Sequence, residues 1–231
     1  MSKLLKAQIY KLLHSRYFPA LCLAQLLFST MMLRDSLPKT SNLFYATLWY
    51  LPFSYLIVVV FMVLYFANDY EERTLFLYIT AGNKRSSVLA AKAVCFVLAD
   101  LVIMLFPVVV QLTIGGWILK ETVDPAVIRP YMGILLMGQA ATGMMGVCLA
   151  QLYKKVGNLI TAGMITFIAM VIALNSKAAS VLSAVIPAGH AYRIAAEQIT
   201  ETPGYYMGIS AGWIVVMGII ALIAFCRADL K

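Results

Sequence analysis

Six long apolar stretches decide what this chain can become. A helix crosses a hydrocarbon core about 30 Å thick with roughly 20 residues rising 1.5 Å each. Stretches of that order lie at about 17–33, 43–67, 93–119, 131–152, 157–175 and 205–226. Only 12% of residues are charged and the mean hydropathy is +0.87, far from the usage of a soluble domain. In lipid each segment must satisfy its own backbone, which leaves helices. The expected fold is an all-α polytopic membrane protein with six transmembrane helices, one transmembrane domain over 1–231. The first stretch, YFPALCLAQLLFSTMML, could pass for a signal-peptide core. The polar-apolar residues before it and the lack of an A-x-A-like site after it favour a retained helix.

Orientation follows from Lys and Arg in the short loops. One side would hold Lys3, Lys6, Lys11, Arg16, Arg73, Lys84, Arg85, Lys92, Lys154, Lys155, Arg227 and Lys231. The other would hold Arg34, Lys39, Lys120, Arg129, Lys177 and Arg193. The richer side contains both termini, which are therefore expected in the cytoplasm. The net charge of +8 then reads as positive-inside bias and attraction to anionic membrane lipids, with no nucleic-acid module beside it. Cys22, Cys95, Cys148 and Cys226 form no C-x-x-C pair and read as small packing residues rather than a disulfide framework.

Residues 1–16 read as a basic amphipathic helix lying in the inner interface. Leu5, Ile9, Leu12 and Leu13 would form its apolar side, with Lys3, Lys6, Lys11 and His14 mostly opposite; the plainer reading is a solvated tail. The outer segment 176–204 is too polar to span and too apolar for an ordinary loop. It reads as two short helices broken at Pro187 and Gly189, or as a surface loop. Gly204, Gly208 and Gly212, and likewise Gly138, Thr142 and Gly146, recur every fourth residue. Such small-residue stripes let helix backbones approach in lipid, and they indicate a packed bundle.

Chemistry motifs are missing from the sequence. It contains no G-x-x-x-x-G-K-[ST], no H-E-x-x-H and no G-x-S-x-G, and only two His, so the chain is expected to hydrolyse no ATP itself and to bind no metal or cofactor. One acid stands out. Asp100 lies about 12 Å past Lys92 along the third span, and a charge at membrane depth is a functional candidate by default. Gln111, Gln139 and Thr142 are its candidate partners along a substrate path. The alternative is a structural hydrogen bond between helices.

The segment NDYEERTLFLYITAGNKRSSVLAAK, residues 68–92, interrupts the apolar pattern. Asp69, Glu71 and Glu72 crowd its start and Lys84 and Arg85 its end, each sign suited to the helix dipole there. Leu75, Tyr78 and Ile79 share one side, and Gly82 and Asn83 supply a stop. About three turns of amphipathic helix are expected over 69–82, on the cytoplasmic face between spans two and three.

This segment resembles the corresponding loop of type-2 ABC exporter permeases. Asp69 and Glu71 match that family's acidic positions, Thr74 and Leu75 its Thr-Leu pair, Arg85 its Arg and Lys92 its closing Lys. Arg73 departs from a usual Gly, Gly82 from a frequent Pro and Lys84 from a frequent Ser. The resemblance also covers the layout of interfacial helix, six spans and broken helix before the last span, where VIPAGHAY is the local match. It implies a transmembrane half, paired with an identical or different second half, that works with a separate ATPase subunit holding ATP and Mg. The 69–82 helix would be the coupling helix, with Asp69, Glu71, Glu72, Arg73, Leu75 and Tyr78 at the ATPase contact. The chain is similar to small exporters of lantibiotic-immunity and phenol-soluble-modulin type, which implies an amphipathic or antimicrobial peptide as substrate, with a drug or lipid-linked glycan as alternatives, and the bacterial plasma membrane as location. The competing classes are an ion-driven transporter using Asp100 and a non-transporting scaffold. The first expects repeated halves, which 1–120 and 121–231 do not show.

Overall fold

The computed structural model describes residues 2–71, 74–120, 123–176 and 179–227. All regular structure among them is helical. Six helical segments are long and apolar enough to cross a membrane: Tyr17–Lys39, Leu51–Glu71, Arg85–Leu119, Pro125–Leu152, Val156–Asn175 and Pro203–Cys226. The chain is read accordingly as a multi-pass membrane protein. We label the helices α1 (Ser2–Leu13), α2 (Tyr17–Ser36), α3 (Leu43–Trp49), α4 (Tyr55–Met62), α5 (Asn68–Glu71), α6 (Thr74–Thr80), α7 (Arg85–Val110), α8 (Gly116–Leu119), α9 (Pro125–Leu152), α10 (Val156–Asn175), α11 (Ala179–Val185), α12 (Gly189–Ala195) and α13 (Pro203–Cys226).

Local chemistry sets the boundaries. Asp124 caps α9 by accepting a hydrogen bond from the Ala126 amide at 2.8 Å, and Pro125 fills the first helical position, where a missing N–H costs nothing. Pro107 inside α7 cannot donate, and the helix relaxes one turn later into a π-turn over Gln111–Gly115, a common response to a disturbed ladder. Lys120 then closes the segment in the left-handed region at φ 56.

Two boundaries differ from the sequence expectation. The second span does not run through 43–67. Asn42 caps the separate helix α3 through the Tyr45 amide, Pro52 starts a 3-10 turn over Leu51–Ser54, and only then does the span proceed through α4 and a π-turn at Val63–Ala67 into α5. Residues 43–48 of α3 are all buried. The third span, in turn, begins at Arg85 rather than near 93, because Lys84 takes an extended conformation as its cap and everything after it is helix. The polar residues 85–92 are thus the first two turns of α7.

The core has two parts. The larger gathers Phe61, Phe66, Tyr65 and Phe96 with residues of α1, α7, α9 and α10, and its rings stack, Phe61 on Phe96 at 4.6 Å and 6°. Such ring pairs each contribute about 0.5–1.5 kcal/mol beyond area. The second, at the opposite end, joins Phe44, Leu48, Ile134, Ile194 and Tyr206. The stripe 204, 208, 212 is a correction: a Cβ added at Gly204, Gly208 or Gly212 meets nothing within 4 Å, so those glycines serve no contact among the described residues. Gly138 and Gly146 do, against Pro187 and Phe96 at 3.2 and 3.3 Å.

Candidate functional site

One end of the bundle collects α1, the end of the second span, the start of α7 and the end of α13. Arg85 donates to the Cys226 carbonyl at 3.0 Å, and Tyr70 donates to Gln151 near the end of α9. At its centre is an ion cluster. Asp69 is 1% exposed and its two carboxylate oxygens are held separately, one by Lys11 of α1 and one by Lys92 of α7. Lys92 is itself 1% exposed, and its ammonium lies 4.6 Å from the Tyr65 ring centre and 5.0 Å from that of Phe66. Two cations on one carboxylate, with aromatic faces around the buried one, offset the desolvation of ions away from water. Gln8 adds a neutral tie, accepting from Tyr65 Oη at 3.1 Å.

Asp69 and Leu75, expected at the ATPase contact, are both buried, Asp69 between Lys11 and Lys92. Glu71 is exposed, Thr74 and Tyr78 are half-buried, and Glu72 and Arg73 lie outside the described residues. The Thr74 hydroxyl donates to the Asp69 carbonyl at 3.3 Å. The Tyr78 carbonyl accepts from Asn83 at 2.9 Å. Of the amphipathic helix expected over 69–82, residues 69–71 continue the second span and Thr74–Thr80 form α6; residues 72 and 73 between them lie outside the described residues.

In α1 the buried stripe is Leu4, Gln8 and Leu12, with Lys11 half-buried beside it, while Ile9 and Leu13 are exposed. Of the expected apolar side, Leu5 and Leu12 pack against the core, while Ile9 and Leu13 are exposed. Gln8 and Lys11 turn inward because Tyr65 and Asp69 wait there as partners. Burial by itself lowers the Lys11 pKa, but the hydrogen bond and charge of Asp69 outweigh it and the net direction is up. A raised lysine pKa means that this tie is fully present below the unfolded value of about 10.4 and is lost as pH rises through the higher folded value. Amide exchange in α1 is expected to accelerate at strongly alkaline pH in the native chain. In Lys11→Gln it should be fast already at neutral pH and change less with alkalinity.

Mid-bundle, Asp100 is fully buried. Gln139 donates to its Oδ2 at 3.4 Å, and its Oδ1 has no hydrogen-bond partner. Gly143 makes room for it, since a Cβ there would lie 2.8 Å from Oδ2. The other two expected partners are engaged elsewhere. Gln111 donates to Ser29 of α2 at 3.0 Å, and Thr142 donates to the Gly138 carbonyl at 2.9 Å. The four residues assigned to a substrate path are not one cluster. Tyr55, not singled out in the sequence, lies within electrostatic reach of Asp100, and its buried hydroxyl lacks a hydrogen-bond partner.

Beyond them, His190 of α12 reaches between helices. Its Nε2 is 2.9 Å from the Ala184 carbonyl and its Nδ1 3.3 Å from Ser210 Oγ. A carbonyl only accepts, so Nε2 carries the proton and Nδ1 accepts from Ser210. Burial pushes the imidazole pKa down, the nearby Arg193 charge adding to it against the Ala184 hydrogen bond. Nothing in the residue types around Lys11, Tyr55 or His190 marks them in sequence; only the packing brings them in. Among the described residues no three His, Cys, Asp or Glu side chains converge as metal ligands, and the four cysteines are free.

Compared with known proteins, the chain matches no family model, and no curated protein matches its sequence.

Proposed function

We propose that this chain is the membrane-spanning subunit of an ATP-driven exporter, gripped by a separate ATPase at α6. The observation that carries the reading is the setting of that helix. Its described residues, Thr74–Thr80, lie between two membrane-crossing segments, close to the buried Asp69–Lys92 pair, with Leu75 sunk in the core and Leu77 64% exposed. A push on the exposed Leu77 from outside would reach the buried Leu75 on the same helix. The resemblance of residues 68–92 to the type-2 ABC exporter loop supports the same role.

In this reading two six-helix halves, identical or different, sit with two ATPase subunits in a bacterial plasma membrane, and both termini face the cytoplasm. ATP and Mg belong to the ATPase. Closure of the ATPase pair on ATP moves α6 and shifts the bundle from inward-open to outward-open, by binding the two states unequally. The cargo is an amphipathic, cytotoxic or antimicrobial peptide, for which an apolar, Met-rich membrane domain is a chemically suited host.

The test is co-purification with the ATPase encoded beside the chain. Reversing Glu71 and its sequence neighbour together, Glu71→Lys with Glu72→Lys, is expected to lower ATPase recovery about tenfold or more, since each reversed charge juxtaposes like signs. Glu71 is exposed, so the chain's own thermal stability should hold. Equal ATPase recovery, or ATP turnover of the complex indifferent to added amphipathic peptides, would remove respectively the coupling assignment or the cargo class.

A further inference from the structure

We propose that Asp100 is a proton-binding site loaded from the membrane face opposite the termini, through the cavity lined by Tyr55, Gln139 and His190. The inference needs only the membrane reading of the fold and stands or falls independently of the ATPase.

Among the described residues, the surroundings of Asp100 hold no counter-charge. Across it, on α4, the titratable group is Tyr55; from α9 it meets Gln139 and Gly143, both neutral. Along α7 the nearest charged residue is Lys92, about 12 Å away and paired with Asp69. α2 and α13 carry no charged side chain along their middle. A carboxylate desolvated without a cation is costly, and the physical remedy is a bound proton. The protonated acid can donate from Oδ1, the oxygen that has no partner among the described residues.

Access is one-sided. A cavity of about 10 Å³ lies between Tyr55, Gln139, Thr142 and His190, continuing along Ile134, Leu135 and Gly138 toward α12; Asp100 does not line it, and Gln139, which does, is the residue that joins it to the carboxylate. That volume suits about one water, enough to carry a proton to or from the site as hydronium or hydroxide. Ile134, Leu135 and Ala191 of the lining belong to the second core, at the end away from the termini, whereas Thr142 lies level with Asp100 beside Gly143. Toward the termini, the next layer is the Phe61–Phe96 stack with Met62 against Gly146, which offers no polar step. Loading is the transfer of one proton from water in the cavity to the carboxylate, leaving water one proton poorer; unloading reverses it. A proton bound from one face in this conformation favours this conformation over any in which the site is exposed differently.

Sodium is a poorer fit. A metal cation needs several oxygens closing around it, and a cavity for one water beside a single carboxylate, a hydroxyl and an amide does not supply them.

The experiment uses the full chain in sealed membrane vesicles prepared in both orientations, with the termini located by protease access to an N-terminal tag. Dicyclohexylcarbodiimide adds the O–H of a protonated carboxyl across its C=N bond and labels buried acids from within the lipid. Labelling of the Asp100 peptide, read by mass spectrometry, should fall about tenfold for each pH unit above the site's midpoint when pH is changed on the face opposite the termini. Changing pH on the termini face should leave it constant, excess sodium should not protect, and Asp100→Asn should abolish the label. Tyr55→Phe should shift the midpoint without abolishing it. No label at acid pH on either face, label independent of pH, label that follows the termini face, or protection by sodium would each overturn the proposal.

Discussion

Asp69→Ala should be the most damaging single change at the termini end of the bundle, costing about 3–5 kcal/mol. The reason is what it leaves behind. Lys92 is 1% exposed and its other contacts are a carbonyl at 3.4 Å and two ring faces, none of which neutralises a cation. Lys92→Met is expected to cost less, about 1–3 kcal/mol, because Asp69 keeps Lys11, which is half in solvent. The double variant Asp69→Asn with Lys92→Met should lie nearer to Lys92→Met than to Asp69→Ala, since no buried charge is then stranded.

The readout is the half-denaturation temperature of the detergent-extracted chain. Equal losses from Asp69→Ala and Lys92→Met, or a double variant that sums the single costs, would mean that the three residues do not act as one unit. Because the unit joins α1, α5 and α7, its loss should also free α1, visible as faster amide exchange there before the rest of the bundle opens.

How far the sequence carries is clear at particular residues. Apolar runs long enough to cross lipid are legible because nothing else explains them, and all six reappear as spans. Their ends are less legible. Pro52 at the start of a helix and Pro52 inside one look alike in an apolar run, so α3 merged with the second span. Residues 85–92 read as part of the cytoplasmic segment because Arg85, Ser86, Ser87 and Lys92 interrupt the apolar run, yet a helix emerging from lipid stays helical while its surface becomes wet. In α1 the apolar side can face lipid, as expected of an interfacial helix; what the pattern does not reveal is that Gln8 and Lys11 find Tyr65 and Asp69 inside. The same ambiguity defeats the stripe at 204, 208 and 212, whose spacing marks close approach but not what approaches. Asp100 was legible as an isolated acid at depth. The cavity residues Tyr55 and His190 were not, because they arrive from other helices.

The break between α11 and α12 sets up a prediction with the opposite sign at two glycines. Gly189→Ala places a methyl 2.7 Å from Ser183 Cα and 2.8 Å from the Ser183 carbonyl oxygen, with Leu174 at 3.1 Å. Two of those three atoms are backbone, so no rotamer change relieves the contact and α11 must lift off α12. Overpacking of this kind costs about 1–3 kcal/mol. Gly208→Ala meets nothing and sits inside the long helix α13, where replacing Gly by Ala is worth about 0.8–1 kcal/mol in helix propensity. The first variant should melt well below the native chain and the second at or above it. Because α12 also carries His190 to Ser210 and over Gly138, the Gly189 variant should in addition open the cavity beside Tyr55 to water-soluble thiol reagents at an introduced Thr142→Cys. A Gly189→Ala chain that melts like the native one, with that cysteine still protected, would mean that α11 and α12 are not packed as tightly as the contact with Ser183 requires.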